Sequence, residues 1–99
     1  MRAPPYKVGG PVSAPVPIHT VEAQFTDLAR SKKYQGVCLI SLIIDPQGMP
    51  TNMRVARALG MGLDLNAIEA IGHYRFTPAM KNRVPVPVMI TIEVDFRLY

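Results

Sequence analysis

At 99 residues, with 48% hydrophobic and 18% charged side chains, the chain has the makings of one globular domain with a modest core, which excludes a disordered segment. No apolar run reaches the roughly 20 residues of a membrane-spanning helix, and Met1-Arg2 leads into Ala3-Pro4-Pro5 with no signal-peptide core, so a soluble piece is expected, whole or cut from a longer protein. The net charge of +4 raises nucleic acid as a partner, but Arg30, Lys32, Lys33, Arg54, Arg57, Arg75, Lys81 and Arg83 are dispersed and no aromatics interleave with them; solvated surface charge and no nucleic-acid partner are expected.

Pro4, Pro5, Pro11, Pro15 and Pro17 keep residues 1–18 extended and poor in backbone donors, so this segment reads as a linker or loosely docked arm. Within it, Val8-Gly9-Gly10 and Val12-Ser13-Ala14 suit a short strand. Thr26-Asp27 offers an N-cap and an acidic first turn for a short helix running to Tyr34, with Gly36 stopping it. Val37 to Ile44 is apolar except for Ser41 and predicts a central strand, with Cys38, Ile40, Leu42 and Ile44 on one face. Cys38 is the lone cysteine, which excludes an intramolecular disulfide; it reads as a small buried hydrophobe.

Asp45-Pro46-Gln47-Gly48 is a turn by composition: Asp at the first position, Pro presetting φ at the second, Gly for positive φ. Thr51 to Ala58 then returns antiparallel, with Met53 and Val55 facing the core and Pro50 marking an edge. Leu59-Gly60-Met61-Gly62 is a connector. Asp64 is expected to cap a second helix whose stripe includes Ala67, Ile68 and Ile71, weakened by Gly72 and stopped by Pro78. After a polar turn (Lys81, Asn82, Arg83), strict alternation resumes: Val88, Ile90, Ile92, Val94, Phe96 and Leu98 one way, Met89, Thr91, Glu93, Asp95, Arg97 and Tyr99 the other. That is a long strand with one face in a core. Placing it beside Val37–Ile44 makes the most apolar strand central and leaves the final strand at an edge, with unpaired N–H and C=O groups open to another chain.

Catalytic and metal chemistry find no support. His19 and His73 lack ligand spacing to Cys or carboxylates, Ser13, Ser31 and Ser41 lack a nucleophile elbow, and Val8-Gly9-Gly10 is no phosphate loop. Glu93 and Asp95 sit two apart on one strand face, flanked by Arg97, as a solvated charge row would. The expectation is a binding module, not an enzyme, with no cofactor.

The succession Gly36, Val37-Cys38-Leu39-Ile40-Ser41-Leu42-Ile43-Ile44-Asp45-Pro46-Gln47-Gly48, then Gly62-Leu63-Asp64, Ala67, Ala70, Tyr74-Arg75-Phe76-Thr77-Pro78-Ala79 and Ile90-Thr91-Ile92-Glu93-Val94-Asp95-Phe96-Arg97-Leu98 resembles the C-terminal domain of TonB energy transducers. Three positions depart from the family pattern: Tyr74 stands where Trp is usual, Phe25-Thr26 where Tyr-Pro is frequent, and Pro50 where an apolar strand residue is usual. The resemblance implies an α+β two-layer sandwich, two helices on one face of a small antiparallel sheet, over residues 19–99, preceded by the Pro-rich arm. It also implies a periplasmic domain of a longer protein whose N-terminal helix sits in the inner membrane and meets ExbB–ExbD.

The implied partner is the TonB box, a short extended peptide of an outer-membrane transporter, to which the domain passes force. The final strand is where the two readings meet. Ile90, Thr91, Ile92, Glu93, Val94, Asp95 and Phe96 are the expected peptide-binding edge, offering about four to six ladder hydrogen bonds of roughly 0.5–1.5 kcal/mol each. The same edge admits a strand-exchanged homodimer or cover by the arm before Ile18. Alternatives are a TonB-like recognition module of a sensor or peptidase and a TolA-like envelope-tethering domain.

Overall fold

The computed structural model describes residues 4–98. Its elements run β1 (Tyr6–Lys7), β2 (Val16–His19), α1 (Asp27–Ser31), β3 (Gly36–Ile44), β4 (Pro50–Arg57), α2 (Leu63–Gly72), β5 (Arg75–Thr77), β6 (Ala79–Lys81), β7 (Val84–Val86) and β8 (Val88–Phe96). The main sheet has the order β1-β8-β3-β4, and two small pairs, β2-β5 and β6-β7, complete the β-structure. The result is an α+β domain with a mixed main sheet.

Strand β3 is central because it has an apolar residue to bury at every second position. Cys38, Ile40, Leu42 and Ile44 are buried on the helix side, where Ala29 of α1 and Leu63, Ala67 and Ile71 of α2 join them in one cluster. Large side chains sealed this fully, such as Ile40, Leu42, Ile44, Leu63 and Ile71, contribute about 1.5–3 kcal/mol each. The alternation along β8 is as expected: Val88 and Phe96 are buried, Ile90, Ile92 and Val94 half-buried against the core, and the residues between them exposed. β8 pairs with β3 antiparallel without a register break, from Gly36↔Phe96 to Ile44↔Val88. β4 pairs on the other side of β3 and is an edge, as Pro50 implies.

Local signals act as their chemistry dictates at two turns. Thr26 caps α1: its Oγ1 accepts from Ala29 N at 3.1 Å while its hydroxyl donates to Met61 O at 2.7 Å. Asp45 Oδ1 accepts from the backbone N–H of Gln47 and of Met49, both at 2.9 Å, and Gly48 takes φ +82°. The turn is then pinned to β5, since Phe76 N donates to Gly48 O at 3.0 Å and a Cβ on Gly48 would lie 1.9 Å from Phe76 O.

Several expectations need correction. α1 ends at Ser31, not Tyr34, because Lys33 turns to positive φ (51°) and Tyr34 N closes back on Ala29 O. Asp64 does not cap α2; Gly62 holds that position without a side-chain bond, and Asp64 instead accepts from Leu59 N and Gly60 N at 2.8 and 2.9 Å, tying down the connector. Met53 packs on the core, whereas Val55, on the same face as Ile40 by register, is 40% exposed on the edge strand. Ala79 to Val86 is a hairpin of its own, β6-β7, turning on Asn82 and Arg83 at positive φ. β8 stops at Phe96; Tyr99, assigned by alternation to the outward set, lies outside the described residues, as do the first three residues of the arm.

The Pro-rich arm is docked along much of its length. Val12 is buried, Ser13 exchanges hydrogen bonds with Met80, and β2 pairs antiparallel with β5. The stretch around Gly9 is no strand: Gly9 and Val12 bond each other at 2.9 and 3.0 Å around Gly10 at φ +55°, a tight reversal. Upstream of that reversal, β1 pairs parallel with β8, Tyr6↔Val88 and Lys7↔Met89. The sheet is therefore mixed, not antiparallel throughout, and the first two residues of β8 are not an edge.

Candidate peptide-docking edge

The seven residues expected to form a docking edge, Ile90 to Phe96, lie on β8 beyond the reach of β1. They divide into two sets by the geometry of a strand, in which successive residues reverse both the side chain and the lateral direction of their N–H and C=O. Tyr6 N donates to Pro87 O at 2.9 Å, so the Pro87 carbonyl faces outward, away from β3. Stepping by two, the backbone groups of Met89, Thr91, Glu93 and Asp95 face outward as well. Those of Ile90, Ile92, Val94 and Phe96 face β3 and are spent in its ladder. β1 engages the outward side at Val88–Met89. The outward N–H and C=O groups of Thr91, Glu93 and Asp95 have no ladder partner among the described residues.

The edge thus narrows from seven residues to three that donate and accept. It is bounded at both ends. At the start, the Gly9–Val12 reversal carries the arm off β8, and the Tyr6 ring is held under Lys81 Nζ at 4.8 Å. At the far end, Phe96 is buried and meets Phe25 edge-on, centroids 5.6 Å apart, with Arg30 over the Phe25 ring at 5.4 Å.

The same parity sets the side chains around the opening. Thr91, Glu93 and Asp95 project from the face of the sheet away from the helices, exposed. Their neighbours on β3 are Ser41, Leu39 and Val37. Asp95 is tied to Arg97, Nε to Oδ2 at 2.6 Å, a pair exposed enough to contribute little to stability. Glu93 makes no ion pair among the described residues. On the helix side, Ile90, Ile92 and Val94 offer a half-buried apolar row.

Other candidates disperse. His19 is exposed on β2 and His73 exposed just after α2, and no three of His, Cys, Asp or Glu converge to hold a metal among the described residues. Cys38 is buried, and burial pushes its thiol pKa up, the Asp64 carboxylate beside it adding to the effect. No helix is long and apolar enough to cross a membrane among the described residues. The arm before Ile18 is one expected cover of the edge, and Tyr6-Lys7 covers it at Val88–Met89 alone, leaving Ile90 to Phe96 uncovered. The sequence does not mark which arm residues take that seat; the only cue is that Pro87, lacking an N–H, precedes the strand it abuts.

Comparison with known proteins agrees with this architecture. The family described as Gram-negative bacterial TonB protein C-terminal matches residues 21–98. The chain belongs to the TonB C-terminal family. A relative, Protein TonB of Vibrio cholerae serotype O1 (strain ATCC 39315 / El Tor Inaba N16961), is 29% identical over 79 residues, covering 79% of this chain. The match spans only 32% of that relative's length, so the chain corresponds to about a third of it. The matched residues include β3, the Asp45–Gly48 turn, α2 and all of β8, the elements that build the edge.

Proposed function

We propose that this domain is the docking end of a TonB-type energy transducer: it receives the TonB box of an outer-membrane transporter as an added strand on β8 and passes on force for substrate import. The observation that carries the reading is the open run of backbone groups at Thr91, Glu93 and Asp95 on an otherwise laddered strand. A peptide laid there gains up to two bonds per outward residue, each about 0.5–1.5 kcal/mol net. Main-chain pairing gives affinity with little dependence on peptide sequence, which suits one domain serving several transporters. A pull along the strands loads these bonds together in shear, and β8 relays it to β3 through a register unbroken over its whole length. In this reading the domain works in the periplasm, anchored to the inner membrane by a preceding segment that meets ExbB–ExbD.

Amide hydrogen exchange tests it. Adding a TonB-box peptide is expected to slow exchange at Thr91, Glu93 and Asp95 while leaving Ile90, Ile92 and Val94, already bonded to β3, unchanged. Exchange at the three outward amides that ignores the peptide would refute docking on this edge.

A further inference from the structure

We propose that Glu93 selects the visiting strand by charge, favouring one that carries lysine or arginine on the side-chain face next to it and apolar residues on the other. This rests on the docking reading and adds the chemical class of its ligand. Glu93 is exposed at the middle of the three open residues. Its cross-strand neighbour on the inner side is Leu39, which offers no counter-charge, and Arg57 pairs with Leu39 from the far side, a further strand away. The backbones of Glu93 and Arg57 lie two strand spacings apart, about 10 Å, and the two side chains form no ion pair. Asp95 already has Arg97 at 2.6 Å. The unmatched carboxylate is therefore the one at the centre of the opening.

Any strand added to this edge sets one of its side chains beside Glu93 on the same face, whichever way it runs, because the pleats of paired strands are in phase. A cation there gains a directly opposed partner; a carboxylate meets a like charge. The opposite face of the added strand continues the half-buried row Ile90, Ile92, Val94, where a charged side chain would be desolvated and an apolar one extends the core. The ligand pattern is alternation of apolar and basic residues. The overall charge of +4 attracts acidic peptides in bulk, so a preference for basic ones would report the local geometry and not the net field.

The test uses two fluorescently labelled peptides long enough to span Thr91–Asp95, one alternating valine and lysine, the other valine and glutamate, titrated by anisotropy at low ionic strength. The lysine peptide is expected to bind about three- to tenfold tighter. Glu93→Lys is expected to invert the preference, and Glu69→Lys, an equal charge change on the exposed side of α2, to leave it in place. Equal affinities, tighter binding of the glutamate peptide, or inversion by Glu69→Lys would overturn charge selection by Glu93 while leaving edge docking standing. If neither peptide binds and the amides of Thr91, Glu93 and Asp95 do not shift, the docking reading falls with it.

Discussion

A proline scan of two neighbouring positions separates the roles that strand geometry assigns to β8. Proline removes one N–H and fixes φ near −65°, which an edge position tolerates and a laddered one does not. At Glu93 the N–H faces outward and serves no bond within the domain, so Glu93→Pro costs only propensity and backbone adjustment, about 1 kcal/mol, or roughly 4–8 °C in Tm. At Ile92 the N–H faces its register partner Ile40, which is fully buried. Ile92→Pro orphans a carbonyl there, about 1–3 kcal/mol, and loses part of the Ile92 packing. The sum, about 3–5 kcal/mol, lowers Tm by roughly 15–30 °C or unfolds the domain. For docking, the informative comparison is Glu93→Pro against Glu93→Ala, which share the lost carboxylate and differ in the N–H. The proline is expected to weaken TonB-box peptide binding by a further 1–3 kcal/mol, about 5- to 150-fold in Kd. Thermal melts by circular dichroism and titration calorimetry read the two effects separately. If Glu93→Pro unfolds the domain while Ile92→Pro melts near wild type, the parity is reversed; if Glu93→Pro binds peptide like Glu93→Ala, the peptide docks elsewhere.

Other expectations follow from single contacts. Gly48→Ala forces a side chain into positive φ against Phe76 O; strain plus the lost Phe76–Gly48 bond amounts to about 2–4 kcal/mol, a Tm drop of roughly 10–25 °C by calorimetry. Thr26→Ala removes the α1 cap and the bond to Met61 O, costing about 1–2 kcal/mol in urea unfolding, whereas Thr26→Ser retains most of it. The Cys38 thiol is raised by burial and by Asp64, so the unfolded chain loses this proton first as pH rises above about 8.5, and stability falls from there toward the folded pKa. Cys38→Val is expected to flatten that alkaline slope in denaturant titrations and to leave the neutral-pH fold intact. Deleting the residues through Lys7 frees Met89 from β1; hydrogen exchange at Met89 is expected to rise, with the remainder of β8 unchanged.

Much of this architecture is legible because two strands carry their burial pattern in plain alternation. β3 and β8 show a core face and an open face that no helix could share, and the Asp45–Gly48 turn and Thr26 cap are local chemistry acting between neighbours. What is illegible depends on partners far along the chain. Asp64 has the composition of a cap, yet its carboxylate is drawn to the free N–H groups of Leu59 and Gly60, whose position is set only once the connector folds over β3. The Pro-rich arm reads as loose because proline cannot ladder, but prolines at Pro4, Pro5, Pro11, Pro15 and Pro17 leave Tyr6-Lys7, Val12-Ser13, Val16 and His19 free to pair, and each finds a partner in the last quarter of the chain. Composition counts the donors that are lost; only the fold shows where the remaining ones go.

The edge itself shows why affinity and selectivity can be tuned apart. On β8 one parity governs two directions, so the residues whose backbone groups open outward are the same three whose side chains stand on the exposed face. On the proposed docking, a substitution such as Glu93→Lys changes what an added strand would meet at the side chain and leaves the N–H and C=O in place, whereas Glu93→Pro removes the main-chain donor. The even-numbered residues have no such freedom, since their backbone is committed to β3 and their side chains to the core. On the proposed docking, selectivity can therefore drift at Thr91, Glu93 and Asp95 without loosening the sheet, because the bonds that join β8 to β3 belong to the residues between them.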